Sequence, residues 1–234
     1  MTSLTLAPSL FVWPTPGGVL HAVTHGHDDD AATRLVRAVL RTAEPVCTDH
    51  LDLLPLTGEA DPQAALAVVA AAQDAGWIEG RTEPPTPVDG PLGRALPELL
   101  APLSDVGQAA LVDDQGFALS SVGFTSEAEA ELSILAAEVV RLQQRRTTLA
   151  AAPATPVTGW ALVDHHGTAS VTIFPLAIGP QPFVLIVGGL PRLGHDPFTW
   201  LVAALSRRYD ADPADPPPDP ASAPPTTPGG TQHA

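Results

Sequence analysis

The sequence predicts an α+β protein made of a small N-terminal unit and a larger C-terminal one. Three observations point there. Short β-type runs are joined by Asp/Gly turn chemistry, longer apolar stripes at helical spacing lie between them, and two proline-rich stretches divide the chain. The first stretch, 82–90 (TEPPTPVDG), reads as a linker between an N-terminal unit, 1–81, and a C-terminal unit, 91–209. The second begins near Asp210 and runs to the end. Residues 210–234 carry no large apolar side chain to offset the entropy of ordering, so this tail is expected to be disordered.

In the N-terminal unit, Leu10–Trp13 and Val19–Thr24 read as two strands of a hairpin around Pro14-Thr15-Pro16-Gly17-Gly18. Asp30 is placed to cap a helix through about Thr42, with Leu35, Val36, Val39 and Leu40 on one face. Asp61-Pro62 is an N-cap followed by proline at the first helical position, opening a second helix that stops at Gly76. Trp77–Arg81 then reads as a closing strand. A helix ending in Ala-Gly-Trp-Ile before a short strand is similar to the end of a winged-helix domain. Its Asp61–Gly76 helix has no arginine, so protein contact is expected of it rather than DNA contact.

In the C-terminal unit, Leu92, Leu96, Leu99, Leu100 and Leu103 fall at helical spacing, with Pro97 and Pro102 expected to break that helix or delay its start. Ala109–Val112 and Phe117–Val122 flank Asp113-Asp114-Gln115-Gly116, a hairpin. Ser126 with Glu129 three residues on reads as a capping box for a helix to about Arg146. That helix carries Leu132, Leu135, Val139 and Leu142 on one face and Ala130, Ile134, Ala137 and Val140 around another. Val157–Val163 and Thr168–Phe174 flank a second turn, Asp164-His165-His166-Gly167. Pro182–Val187 is a further strand, and a last helix runs from about Asp196 to Arg208. The element order is α-β-β-α-β-β-β-α.

This order, with the run LVDDQGFALSSVG and the Ala/Glu-rich helix after it, resembles the roadblock (dynein light-chain) family over about residues 91–208. The segment PLAIGPQPFVLIVGG fits that family's closing strands, whereas the prolines of the first helix depart from its pattern. The resemblance implies a five-stranded antiparallel sheet with helices on its faces. It also implies a homodimer that joins third strands edge to edge and packs the long second helices together. The dimer-interface residues so implied are Ala130, Ile134, Ala137, Val157, Trp160 and Leu162. The resemblance further implies a non-catalytic regulator or scaffold, of bacterial type, for a small Ras-like GTPase, whose hydrolysis some members stimulate. On the long helix the partner-binding candidates are Glu127, Glu131, Glu138, Arg141, Arg145 and Arg146. The alternative is a structural scaffold in a polarity, motility or signalling assembly without GTPase contact. In either case residues 1–81 are a candidate site for a further protein.

Composition bears on the other function classes. Among 234 residues the net charge is −15, and all 11 basic residues other than histidine are arginine. Phosphate-backbone binding needs a basic footprint, so no nucleic-acid partner is expected. No apolar run approaches the roughly 18 residues of a membrane span, and the N-terminus lacks the pattern of a signal peptide. A cytoplasmic protein without direct membrane insertion is the expectation.

No catalytic, cofactor or metal site is assigned. GxxxxGK[ST] and GxSxG are both absent, and without lysine a phosphate loop of the usual form is excluded. His21 and His25, if on one strand, stand about 13 Å apart, too far to share an ion. His25, His27 and an aspartate would converge only in a loop, and a solvated strand end followed by a helix cap accounts for the run. The lone Cys47 reads as a small buried hydrophobe, and His165-His166 as a surface turn. Arg145 and Arg146 read as partners of the helix C-terminus rather than as groups acting on a partner's phosphates.

Overall fold

In the computed structural model, residues 5–24, 30–50, 53–86, 90–145 and 159–210 are described. The first strand, β1, is Phe11–Pro14, and the chain then turns into a helix, α1, at Pro16–Thr24. The second strand expected at Val19–Thr24 is therefore helical. Thr15 and Pro16 supply the reason: the Thr15 hydroxyl accepts from the Gly18 N–H at 3.1 Å, and proline occupies the first helical position. Val19, Ala22 and Val23 are buried at helical spacing, and that burial outweighs the β-propensity of the valines. Gly18 is fixed by a close approach, because a Cβ there would lie 2.3 Å from the Trp77 carbonyl oxygen.

Helix α2, Ala31–Arg41, begins as expected at Asp30, whose carboxylate accepts from the Thr33 N–H at 2.9 Å. Its expected face, Leu35, Val36, Val39 and Leu40, is buried. Two short elements not expected from the sequence come next: strand β2, Val46–Cys47, and helix α3, Leu53–Leu56. Both fall below the length at which periodicity is legible. Helix α4, Pro62–Asp74, starts at the Asp61 cap and gives way to Gly76 at φ 70°. Strand β3, Ile78–Arg81, pairs antiparallel with β1, which also pairs with β2, giving a small sheet of order β2-β1-β3.

Helix α5, Leu92–Leu100, runs straight through Pro97 and tightens into a 3₁₀ turn at Ala101–Leu103, so the expected break does not occur. An internal proline costs about 3 kcal/mol, and burying a leucine returns about 1.5–3 kcal/mol. Leu96, Leu99 and Leu100, all buried, outweigh it. The first hairpin joins β4, Ala109–Asp113, to β5, Ala118–Val122. In its turn the Asp113 carboxylate accepts from the Gln115 and Phe117 N–H groups at 2.9 and 2.8 Å. Helix α6, Ser126–Arg145, is capped one residue earlier than expected. The Thr125 hydroxyl accepts from the Ala128 N–H at 3.2 Å, so Ser126 is the first helical residue and not the cap.

Strands β6, Trp160–Val163, β7, Ala169–Ile178, and β8, Gln181–Gly188, complete a five-stranded antiparallel sheet of order β5-β4-β8-β7-β6. Helix α7, Asp196–Tyr209, ends the described chain. Strand alternation divides the sheet's side chains between two clusters. Ala109, Leu111, Phe183, Leu185 and Val187 point to the side of α5 and α7, and Ala110, Val112, Val184 and Ile186 to the side of α6.

The N-terminal elements pack on the α5/α7 side. Val19, Leu35, Val36 and Val39 belong to the same cluster as Phe198, Leu201 and Val202 of α7. The Trp13 and Trp200 rings lie 4.5 Å apart, and Arg81 donates to both carboxylate oxygens of Asp196 at 3.2 and 3.0 Å. At the far end Arg41 pairs with Asp210 at 3.4 Å. Burial pushes the Asp210 carboxyl above its ordinary value, with the charges of Arg41 and Arg37 pulling the other way.

Candidate functional site

Among the described residues, the outer side of α6 and the neighbouring edge of the sheet form an open face. Helix α6 buries Ser133, Ala136, Ala137, Val139 and Val140 and sends Glu127, Ala130, Glu131, Ile134, Glu138 and Arg141 to solvent. That spacing is a continuous outward stripe about 21 Å long at 1.5 Å per residue. Acidic residues stand on its first turns. Near its other end the Arg141 guanidinium donates to Glu138 at 2.6 Å. At its centre Ile134 is 67% exposed, a large apolar side chain set among charges.

Gly116 fixes how the helix lies on the sheet. It sits in the β4–β5 turn at φ 89°, and a Cβ there would come within 2.9 Å of the Ser133 carbonyl oxygen. The hairpin turn and the middle of α6 therefore touch backbone to side-chain-free backbone.

Strand β6 forms the edge of the sheet beyond β7, as expected of the third strand of the C-terminal unit. Trp160 and Leu162 stand opposite Ile173 and Val171, so they share the α6 side of the sheet. Leu162 and Val163 are 39% and 61% exposed. Trp160 is half-buried against the α6-side cluster, and its Nε1 is buried with no hydrogen-bond partner among the described residues. Apolar side chains on an edge strand and an apolar centre on the adjacent helix are a combination that monomeric proteins usually blunt or cover.

Of the residues expected at a dimer interface, Ala130, Ile134, Trp160 and Leu162 lie on this open side, and Val157 lies outside the described residues. Ala137 lies apart from them. It is 3% exposed and packs toward the Gly116 turn, so the fold itself has used its side chain. Val140, grouped with Ala137 on one face of the helix, is likewise buried, because the helix turns Ala136, Val139 and Val140 together onto Val112, Val184 and Ile186. Among the charged candidates Glu127, Glu131, Glu138 and Arg141 are exposed. Arg145 closes the helix, its side chain outside the description, and Arg146 lies outside the described residues.

Sequence reasoning missed the exposed Val163, and its place at the β-rich end of an apolar run hid it. His21, read as a strand residue, lies on α1 and stacks on Trp77 with ring centroids 4.1 Å apart. His25, His27 and the aspartates beside them lie outside the described residues. No group of three metal-ligating side chains is found among the described residues, and no helix there is long and apolar enough to cross a membrane.

Solved roadblock-type structures are similar to this chain. A Roadblock/LC7 domain from Streptomyces avermitilis matches at 17% identity, covering 43% of this chain and 79% of that one, with a TM-score of 0.28. Myxococcus xanthus MglB matches at 15% identity over 56% of this chain and 100% of its own, with a TM-score of 0.38. The gliding protein MglB from Thermus thermophilus matches at 17% identity over 54% and 96%, with a TM-score of 0.35. No protein-family model and no curated protein matches the sequence.

Proposed function

We propose that this protein is a non-catalytic homodimeric regulator or scaffold that binds a small Ras-like GTPase through its roadblock-like half. The observation that carries the reading is the coincidence of two unsatisfied features on one side of the sheet. The unpaired β6 edge with Leu162 and Val163 lies on the same half of the molecule as the outward stripe of α6 around Ile134. Edge-to-edge pairing of β6 with a second copy would give its backbone N–H and C=O groups partners and continue the sheet across both copies. The two α6 helices would then stand side by side, presenting Glu127, Glu131, Glu138 and Arg141 of each copy as a charged rim. Such a surface offers no nucleophile and no phosphate loop, so its role is to hold or reposition a partner that carries its own chemistry.

A five-stranded antiparallel sheet with helices on its faces is the arrangement implied by the sequence resemblance, and its presence supports the reading of a GTPase as partner. The test is a binding measurement with the full-length chain and small Ras-like GTPases of the same organism, each loaded with GDP or a non-hydrolysable GTP analogue. Tighter binding in one nucleotide state supports the reading, and accelerated hydrolysis would assign the stimulating role. Absence of binding in both states overturns it and leaves the scaffold alternative.

A further inference from the structure

Between the N-terminal elements and α7 lies a cavity of about 10 Å³, lined among others by Trp13, Pro45, Pro85, Trp200 and Arg207. That is room for one water-sized species. Two donors in its lining lack acceptors. Trp13 is 6% exposed, and its Nε1 is buried with no hydrogen-bond partner among the described residues. Arg207 is half-buried and donates from Nε to the Ala203 carbonyl of its own helix at 3.2 Å. Its terminal N–H groups have no partner among the described residues. The one acid of the lining, Glu44, is exposed and forms no ion pair with Arg207. Burial pushes the Arg207 guanidinium below its ordinary value, with no carboxylate opposing the shift. The group keeps its charge at neutral pH all the same. A chain with 26 acidic residues and a net charge of −15 thus sets none of the described acids against this half-buried cation, and a buried charge without a counter-charge is costly.

We infer that this cavity is a binding site for a small monovalent anion of the halide class, held by the Arg207 guanidinium and the Trp13 Nε1–H. The volume selects the ligand. Space for about one water has no room for a carboxylate or an oxyanion with its several heavy atoms. The apolar walls, Pro45, Pro85 and the Trp200 ring, keep solvent from the pair and strengthen its attraction. A water molecule also fits the volume and accepts from Trp13, but it brings no charge to offset that of Arg207. The two donors come from β1 and α7, so the anion ties the N-terminal unit to the last helix. It does so beside the contact of Trp13 with Trp200, whose ring centroids lie 4.5 Å apart. Its effect is to stabilise the junction between the two halves in proportion to occupancy.

The experiment follows thermal unfolding of the full-length chain at a fixed ionic strength of about 0.2 M, with sodium gluconate replaced stepwise by sodium chloride or sodium bromide. A ligand that binds only the folded state raises the midpoint with its concentration, and a rise of about 3 °C is expected at the chloride end. Arg207→Gln should abolish the halide-dependent rise. Trp13→Phe, which keeps a ring in the core and removes the Nε1–H, should at least halve it. A second readout needs no variant to unfold cleanly: the chloride NMR line should be broadened severalfold by the wild-type chain and should narrow when bromide is added as competitor. A midpoint indifferent to halide, or a rise of equal size in wild type and both variants, overturns the inference. So does a chloride line that the wild-type chain leaves unbroadened, in which case the cavity holds an ordered water only.

Discussion

The two faces of the five-stranded sheet are finished differently. On one, Leu111, Phe183, Leu185 and Val187 lie beneath α5 and α7, and α1 and α2 add a further layer that continues the same apolar cluster. On the other, among the described residues, α6 covers Ala110, Val112, Val184 and Ile186, and the sheet runs out to an edge strand with exposed apolar side chains. The first face is complete within one chain. The second leaves Ile134, Leu162 and Val163 exposed. Among the described residues, the α6 side combines exposed apolar side chains, Ile134 and Leu162, with the free edge of β6.

The largest test of this contrast is made on the closed face. Trp13→Ala removes a side chain only 6% exposed whose ring packs at a tilt against Trp200 across the two halves. It is expected to cost about 3–5 kcal/mol in denaturant unfolding, with residues 1–81 and 91–209 losing structure in a single transition. Two separated transitions would show that the halves are not coupled through this cluster. Gly18→Ala comes next. It forces a methyl group against the Trp77 backbone, and a loss of about 1–3 kcal/mol is expected by the same measurement.

A smaller effect, with a pH signature, belongs to Asp30. Burial works to raise its carboxyl, but the Thr33 hydroxyl, the Thr33 and Ala32 N–H groups and the nearby His21 outweigh it, so the carboxyl lies below its ordinary 3.8. A carboxyl lowered in the folded state stabilises above its unfolded value, and that contribution is lost as pH falls through 3.8 toward the folded value. Asp30→Ala should therefore cost about 1 kcal/mol at neutral pH, and the gap to wild type should narrow in unfolding experiments below pH 4. A gap that stays constant with pH would mean that the cap is not what the substitution removed.

The smallest effect on stability is expected on the open face. Ile134→Glu should leave the unfolding free energy within about 0.5 kcal/mol, because its side chain packs on little of its own chain. The same change should weaken self-association by about tenfold or more in sedimentation equilibrium. A stability loss comparable with that of Trp13→Ala would place Ile134 in the core and erase the contrast between the faces. Unchanged self-association would move the contact surface off α6.

Elements with punctuation at both ends were legible in the sequence. Asp30, Asp61-Pro62 and Asp113-Asp114-Gln115-Gly116 act through bonds to residues a few positions away, so α2, α4 and the first hairpin of the sheet lie where those residues place them. The hairpin expected at Pro14–Gly18 failed on the same kind of local evidence, because Thr15-Pro16 is a helix start that the valines beyond it masked. The open face was legible only in part. Ala130 and Ile134 face outward as their spacing suggests, but Ala137 and Val140 turn onto the sheet. An alanine-rich helix carries apolar residues most of the way round, and only the sheet beneath decides which stripe is inside.

The sequence by itself thus determined the order and kind of most elements of the C-terminal half and its acidic character. All of these follow from local patterning, turn chemistry and summed charge. The tertiary structure alone decided the rotation of α6, the layering of α1 and α2 onto α7, and the gathering of Arg34, Arg37 and Arg41 around the end of the last helix. Those arrangements depend on contacts between residues far apart in the chain. Such contacts are set by which apolar surfaces fit together, and no pattern within one segment records that fit.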